Sequence, residues 1–316
     1  MNRLNITSPT MGRITDLINR GMAASRIAVD RGIPSADVAR WLEGDPLPVV
    51  ERAVTAWLED LDRQVAVKFD GFVMTPTSQR FCDALDDARA PRGREGRRGM
   101  CFIFGASGAF KTYTAEWYVA QCNAASSISS QVAVMVPCDG DMSTWTSALR
   151  AVMKALGHGG YSNRTDPLRD QIALRLPPGA IIIFDEAHTL PVKVMDQLRA
   201  LPDQNGIAVA FLGNLSSYQR LKEQKVAQIM TRVRGAMVLV NLPGEEDINA
   251  ILEGWKLVGR DVREFLTTIA RQDGGMHYLT DIVERARAYE IALGLPIDID
   301  LLKVCAQKAG AWGWED

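Results

Sequence analysis

Two short stretches of this chain carry residue types that handle phosphate. The first is Gly105-Ala-Ser-Gly-Ala-Phe-Lys111-Thr112. A glycine-rich loop of this kind turns successive backbone N–H groups toward an anion, and the helix that follows adds its positive end. Gly105, Ala106, Ser107, Gly108, Ala109 and Phe110 would wrap the phosphates of ATP, Lys111 would reach the β and γ groups, and Thr112 would ligate Mg2+. The usual spacing places a glycine directly before the lysine. Phe110 stands there instead, and Gly108 restores some backbone freedom nearby. The second stretch, about seventy residues on, is Ile181-Ile-Ile-Phe-Asp185-Glu186-Ala-His188. Asp185 would hold the metal through water, and Glu186 would polarise the attacking water. An apolar strand can end in acids for no catalytic reason. Two halves in this order, each closing a strand, argue for a site that binds and hydrolyses ATP.

These residues need rigid elements behind them. Met100–Phe104, Gln131–Val136, Ala180–Phe184, Ile207–Leu212 and Met237–Val240 read as strands. Helical stretches lie between them, at Thr112–Cys122, Ser143–Leu156, Pro167–Leu176 and Val192–Leu201. Continuous apolar strands alternating with helices predict a parallel sheet covered on both faces, whose carboxyl edge binds ligands. The fourth strand runs on to Gly213-Asn214, which sets a polar group beside the acidic strand end. A helix-capping asparagine would look the same.

The predicted domains are a helix-turn-helix over residues 1–62, an arm and basic loop over 63–98, the ATPase core over 99–242 and a helical lid over 243–316. Met22–Gly32 and Ser35–Gly44 form the expected helix-turn-helix, with Ser35 as N-cap and the two glycines as stops. Its arginines, Arg26, Arg31 and Arg40, are matched by nearby acids, so the same module could also bind protein. Arg92, Arg94, Arg97 and Arg98 read as a solvated turn before the first strand. The lid should fold as about four helices. His277 near one helix start could contact nucleotide, although a packed structural histidine fits equally.

Composition bounds the rest. Of 316 residues, 47% are hydrophobic and 23% charged, the balance of a globular protein with a core. Thirty-six basic residues against 38 acidic give a net charge of −2, so DNA contact must come from a local patch. Five dispersed cysteines without a C-x-x-C pair, and three histidines without metal-ligand spacing, argue against a zinc site and for reduced thiols. No run reaches the roughly 18 apolar residues of a membrane span. No membrane partner is expected, and the expected location is the cytoplasm.

Taken in order, these features resemble the B transposition proteins of Mu-type phages, a family of AAA+ ATPases. The resemblance covers the N-terminal helix-turn-helix, the arm Phe72-Val-Met-Thr-Pro-Thr77, the loop around Lys111, the Asp185-Glu186 strand, Leu212-Gly-Asn214, Thr231-Arg232 and the lid. It implies the fold class: an α/β P-loop AAA+ core with a parallel sheet, an N-terminal helix-turn-helix and a C-terminal helical lid. It implies that Asn214 senses the γ-phosphate. It implies that Arg232, or failing it Arg234, reaches a neighbouring subunit's nucleotide. The implied activity is ATP-dependent, largely nonspecific DNA binding by a protein that oligomerises on duplex DNA as a filament or ring. Such a protein selects target DNA, delivers it to a cognate transposase and stimulates transposition. ATP hydrolysis releases the DNA and underlies target immunity. Arg150, Lys154, Arg164 and Arg169 are the expected DNA-facing residues. Two other readings stay open. One is a AAA+ helicase loader or insertion-sequence ATPase. The other is a regulator that senses nucleotide without hydrolysing it, which Phe110 keeps in play.

Overall fold

In a computed structural model, the residues described are 9–19, 22, 24–64, 72–91, 93, 97–126, 131–157, 165–216, 219, 233, 238–272 and 274–311. Five strands form one parallel sheet: β1 (Met100–Gly105), β2 (Ala133–Pro137), β3 (Ile181–Asp185), β4 (Ala208–Gly213) and β5 (Val238–Val240). The spatial order is β2-β3-β4-β1-β5. β1, β3 and β4 are buried along their whole length, as continuous apolar runs require when helices cover both faces.

Strand alternation sorts the core into two layers. Phe102, Phe104, Ile182, Phe184, Val209 and Phe211 point to one face, where they meet Leu149, Val152, Leu168, Ile172 and Met195. Those partners lie on α7 (Trp145–Ala155), α8 (Thr165–Arg175) and α9 (Val192–Leu198). Phe211 stacks against both Phe102 (5.0 Å) and Phe184 (5.6 Å), which ties β1, β4 and β3 through one ring. Such pairs add about 0.5–1.5 kcal/mol beyond area burial. Cys101, Ile103, Ile181, Ile183, Ala210 and Leu212 point to the other face. There they meet Phe81, Leu85 and Ala88 of α5 (Pro76–Arg89) and Ala115 and Tyr118 of α6 (Lys111–Ala125).

The compact unit around this sheet spans Phe72–Lys256 with Thr267–His277. It therefore starts earlier than the expected boundary at residue 99. The segment taken as an arm contains α5, and α5 is a layer of the core. The helix starts with a Thr75–Ser78 capping box and Pro76 in its first turn, which satisfies N–H groups that a helix start leaves without partners.

The second unit gathers the described residues up to 64 with Leu257–Leu266 and the described residues from 278 on. Its N-terminal helices are α1 (Pro9–Asn19), α2 (Ser25–Arg31), α3 (Ser35–Leu42) and α4 (Pro48–Gln64). Gly32 ends α2 at φ 63°, a left-handed stop that glycine adopts at little cost. Ser35 is the first helical residue of α3 rather than its cap. Pro34 holds the cap position in extended geometry, and no side chain caps that end. Ile14, Ile27, Val38, Trp41, Val54 and Trp57 are buried in this unit.

Among the described residues of the stretch expected as a lid, four helices follow β5: α10 (Glu245–Gly254), α11 (Arg260–Ala270), α12 (Gly275–Leu293) and α13 (Ile299–Ala309). It is not one body, because the division between the two units falls inside α11 and α12. No helix among the described residues is long and apolar enough to cross a membrane.

Candidate nucleotide site

A parallel sheet brings every strand's carboxyl end to one edge, and β4 lies between β1 and β3. β1 and β3 thus run about 10 Å apart, two strand spacings, and the end of β4 lies between the loop after β1 and the acids after β3.

The loop is built by steric necessity at two glycines. A Cβ on Gly105 would meet the Val240 carbonyl oxygen at 2.1 Å. Gly108 has φ +73°, and its Cβ would lie 2.6 Å from the Cα of Gly274. Gly108 is thus fixed twice, by backbone conformation and by close packing. Phe110 is the N-cap of α6 at φ 55°, ψ 18°. The backbone at the usual glycine position has kept the left-handed turn, although a phenylalanine occupies it. The cost for such a residue is about 1–2 kcal/mol.

Lys111 folds back on the loop. Its Nζ donates to the carbonyl oxygens of Ala106 (2.7 Å) and Gly105 (3.2 Å). Burial lowers its pKa from 10.5, and the charges of Glu186 and Asp185 partly oppose that shift. Thr112 Oγ1 donates to Asp185 Oδ2 at 2.8 Å, which joins the two halves of the site directly. Asp185 is 5% exposed, and its Oδ1 accepts from the Glu186 amide at 2.9 Å. A hydroxyl and a buried carboxylate in contact are hard oxygen donors of the kind Mg2+ takes. Among the described residues no group of three or more His, Cys, Asp or Glu could hold a metal.

Glu186 also sits in the left-handed region, at φ 53°, ψ 33°. The turn sends its carboxylate away from the sheet, and its side chain is 57% exposed. Its Oε2 lies 2.9 Å from His188 Nδ1, within ion-pair reach but off the hydrogen-bond direction. The Thr189 amide and hydroxyl both donate to the Glu186 carbonyl at 3.1 Å and fix the turn. Cys138 is close by, its amide donating to the Asp185 carbonyl. Burial first, then Asp185, pushes its pKa up to about 12, so it stays a protonated thiol. Asn214 follows the last residue of β4, and its Oδ1 accepts from Ser216 Oγ at 2.6 Å. His277 is exposed in the first turn of α12, one turn from the Gly274 that packs under Gly108.

The structure thus gathers Gly105 through Thr112, Asp185, Glu186 and Asn214 at one edge, and it brings the Gly274 turn onto the loop. Arg150 and Lys154 lie four apart on α7, half-buried and exposed respectively. Arg169 on α8 donates to Gln204 Oε1 at 2.8 Å and lies 3.9 Å from Asp170. Arg232, Arg234 and Arg164 lie outside the described residues. Sequence reasoning missed three features around the loop. Thr77 donates its amide and hydroxyl to buried Asp247 (2.9 and 2.8 Å), Val73 packs on Gly254, and Phe72 stacks on Trp117. The first two join residues far apart in the chain, so spacing carries no trace of them.

A family model described as an AAA domain matches residues 94–221, a stretch that holds the loop, the acidic strand and Asn214. Over these residues the fold and the site geometry agree with that match: a P-loop core of the AAA type. Within that class the chain is similar to the B proteins of Mu-like phages. The ATP-dependent target DNA activator B of Escherichia phage Mu is 25% identical over 153 residues, covering 47% of this chain and 49% of that protein. The chain thus matches about half the length of the Mu protein. The Mu-like prophage FluMu DNA transposition protein B of Haemophilus influenzae is 23% identical over 272 residues, covering 83% of this chain and 89% of that protein. Among solved structures, the Aeropyrum pernix ORC2 protein in ADPNP–ADP complexes superposes with a TM-score of 0.55 at 14% identity. It covers 80% of this chain and 72% of its own, and shows the shared fold.

Proposed function

We propose that this chain is an ATP-dependent, largely nonspecific DNA-binding ATPase that oligomerises on duplex DNA, selects target DNA and delivers it to a transposase, which it stimulates. One observation carries the ATPase part: the 2.8 Å hydrogen bond from Thr112 to buried Asp185, which joins the phosphate loop to the acidic strand. The transposition part is supported by the names of the relatives, an ATP-dependent target DNA activator and a DNA transposition protein.

Thr112 and Asp185 would hold Mg2+, which would supply positive charge to the phosphates. The loop amides from Ala106 to Lys111 bind phosphate oxygens, and Lys111 exchanges its carbonyl partners for them. Glu186, turned out of the sheet, orients water and takes its proton. Asn214 donates an amide hydrogen bond toward the γ-phosphate from the strand between. Arg232 completes the charge from a neighbouring subunit, so assembly and hydrolysis are coupled. Hydrolysis weakens the subunit interface and releases the DNA. Arg150, Lys154, Arg164 and Arg169 contact DNA phosphates, each weakly, and bind only together in an oligomer. The α2–turn–α3 unit offers a second DNA-facing element. The protein works in the host cytoplasm.

Duplex-DNA binding and electron microscopy with ATP, with ADP and without nucleotide test this reading. ATP should yield DNA-bound assemblies that ADP does not support. Equal DNA binding and assembly in all three conditions would overturn it.

A further inference from the structure

Glu186 stands on an outward turn, and its side chain is 57% exposed. A carboxylate in that setting keeps most of its rotamer freedom, so the turn alone does not decide which oxygen meets an incoming water. One neighbour is placed to decide it. β3 ends at Asp185, Glu186 takes the left-handed conformation, and Ala187–Thr189 form one turn of 3-10 helix. This short turn brings the side chains of residues 186 and 188 together, with His188 Nδ1 2.9 Å from Glu186 Oε2.

The turn that carries the pair is rigid. Ala187 between them is fully buried, and Thr189 donates twice to the Glu186 carbonyl. His188 Nδ1 is closed to solvent and has no aligned hydrogen-bond partner among the described residues. A buried polar atom in that state gains by bonding the nearest acceptor, and here that acceptor is the Glu186 carboxylate. A neutral imidazole with its proton on Nδ1 is a donor at that atom.

We infer that His188 is a positioning residue for Glu186: its Nδ1–H holds Oε2 and leaves Oε1 to take the proton of the attacking water. The inference rests on the hydrolytic reading above and adds the group that orients its base. A base held in turn by a third group recurs in sites that activate a nucleophile. Bonds of this kind commonly reach full alignment only when substrate binds. The hydrolytic effect of His188 therefore runs through the carboxylate alone, and ATP affinity does not depend on it.

Single-turnover hydrolysis and calorimetric ATP binding by the full chain test this, on wild type, His188→Ala, His188→Asn and His188→Gln. Asparagine sets its amide nitrogen where Nδ1 stands, whereas glutamine carries it one carbon farther out. His188→Ala should slow hydrolysis by about ten- to a hundredfold at unchanged ATP affinity. His188→Asn should stay within a few-fold of wild type, and His188→Gln should resemble the alanine variant. In a Glu186→Gln background, His188→Ala should slow hydrolysis no further. Wild-type hydrolysis by His188→Ala, equal rates in the asparagine and glutamine variants, or a loss that persists in the Glu186→Gln background would overturn the positioning role. A wild type that binds ATP without hydrolysing it would instead overturn the hydrolytic reading beneath it.

Discussion

Two non-glycine residues bend the backbone into the left-handed region at the same edge of the sheet, Phe110 at φ 55° and Glu186 at φ 53°. Phe110 opens α6 with no side-chain cap, and its ring leans on Tyr113. Glu186 follows β3, its amide bonded to Asp185 and its carbonyl to Thr189. In the acidic half the turn serves the side chain, because it aims a carboxylate outward from a buried strand. In the phosphate half it serves the backbone, because the loop needs the turn whatever side chain is present. Sites of this kind concentrate backbone strain where positioning matters.

The comparison breaks most sharply at the carboxylate. Glu186→Gln should lower phosphate release by about a hundredfold or more while ATP still binds, since general-base help is worth 10²–10⁴. A variant that hydrolyses ATP normally would remove Glu186 from the chemistry. Next comes Asp185→Ala, which leaves the Thr112 hydroxyl and the Glu186 amide without their acceptor. The expected loss is about 1–3 kcal/mol of stability, read from urea unfolding. An unchanged midpoint would mean that the two halves are not tied through this residue.

Phe110 sharpens the backbone side. Phe110→Ala keeps the left-handed cost and loses the ring pair, whereas Phe110→Gly relieves the backbone. The glycine variant should therefore unfold at higher urea than the alanine variant, by about 1 kcal/mol. The reverse order would show that the ring contact, not the turn, governs this position. The smallest effect at neutral pH belongs to Lys111. Its folded-state pKa lies below the unfolded value of 10.5 because burial disfavours the charge. Between those two values the unfolded chain holds more protons, so the Lys111 contribution to stability rises with pH across that window. ATP affinity should move the other way there, falling as Lys111 loses its charge. Lys111→Arg, which stays protonated, should flatten the affinity profile.

Much of this site was legible because its chemistry is local. A glycine loop between strand and helix, and acids ending an apolar strand, are read residue by residue. The strand positions follow from apolar runs, and all five strands lie where those runs place them. What stayed hidden depends on contacts between distant segments. Gly108 looked like spare flexibility; its tight packing on Gly274 comes only with the fold. The segment around Phe72 looked like a linker, yet its ties to Trp117, Gly254 and Asp247 place it within the core unit. Phe110 was legible only as a departure from a pattern. Spacing rules infer a left-handed turn from glycine, and a phenylalanine held there by its surroundings escapes them.

The central claim is that the loop keeps its working shape with Phe110 in place, so that the site remains a hydrolytic one. Steady-state ATP turnover of wild type and Phe110→Gly, each with and without duplex DNA, tests it most directly. The account predicts multiple turnovers by the wild type, with the glycine variant within a few-fold. A silent wild type beside an active Phe110→Gly would contradict it, and the ring would then be a block on the motor.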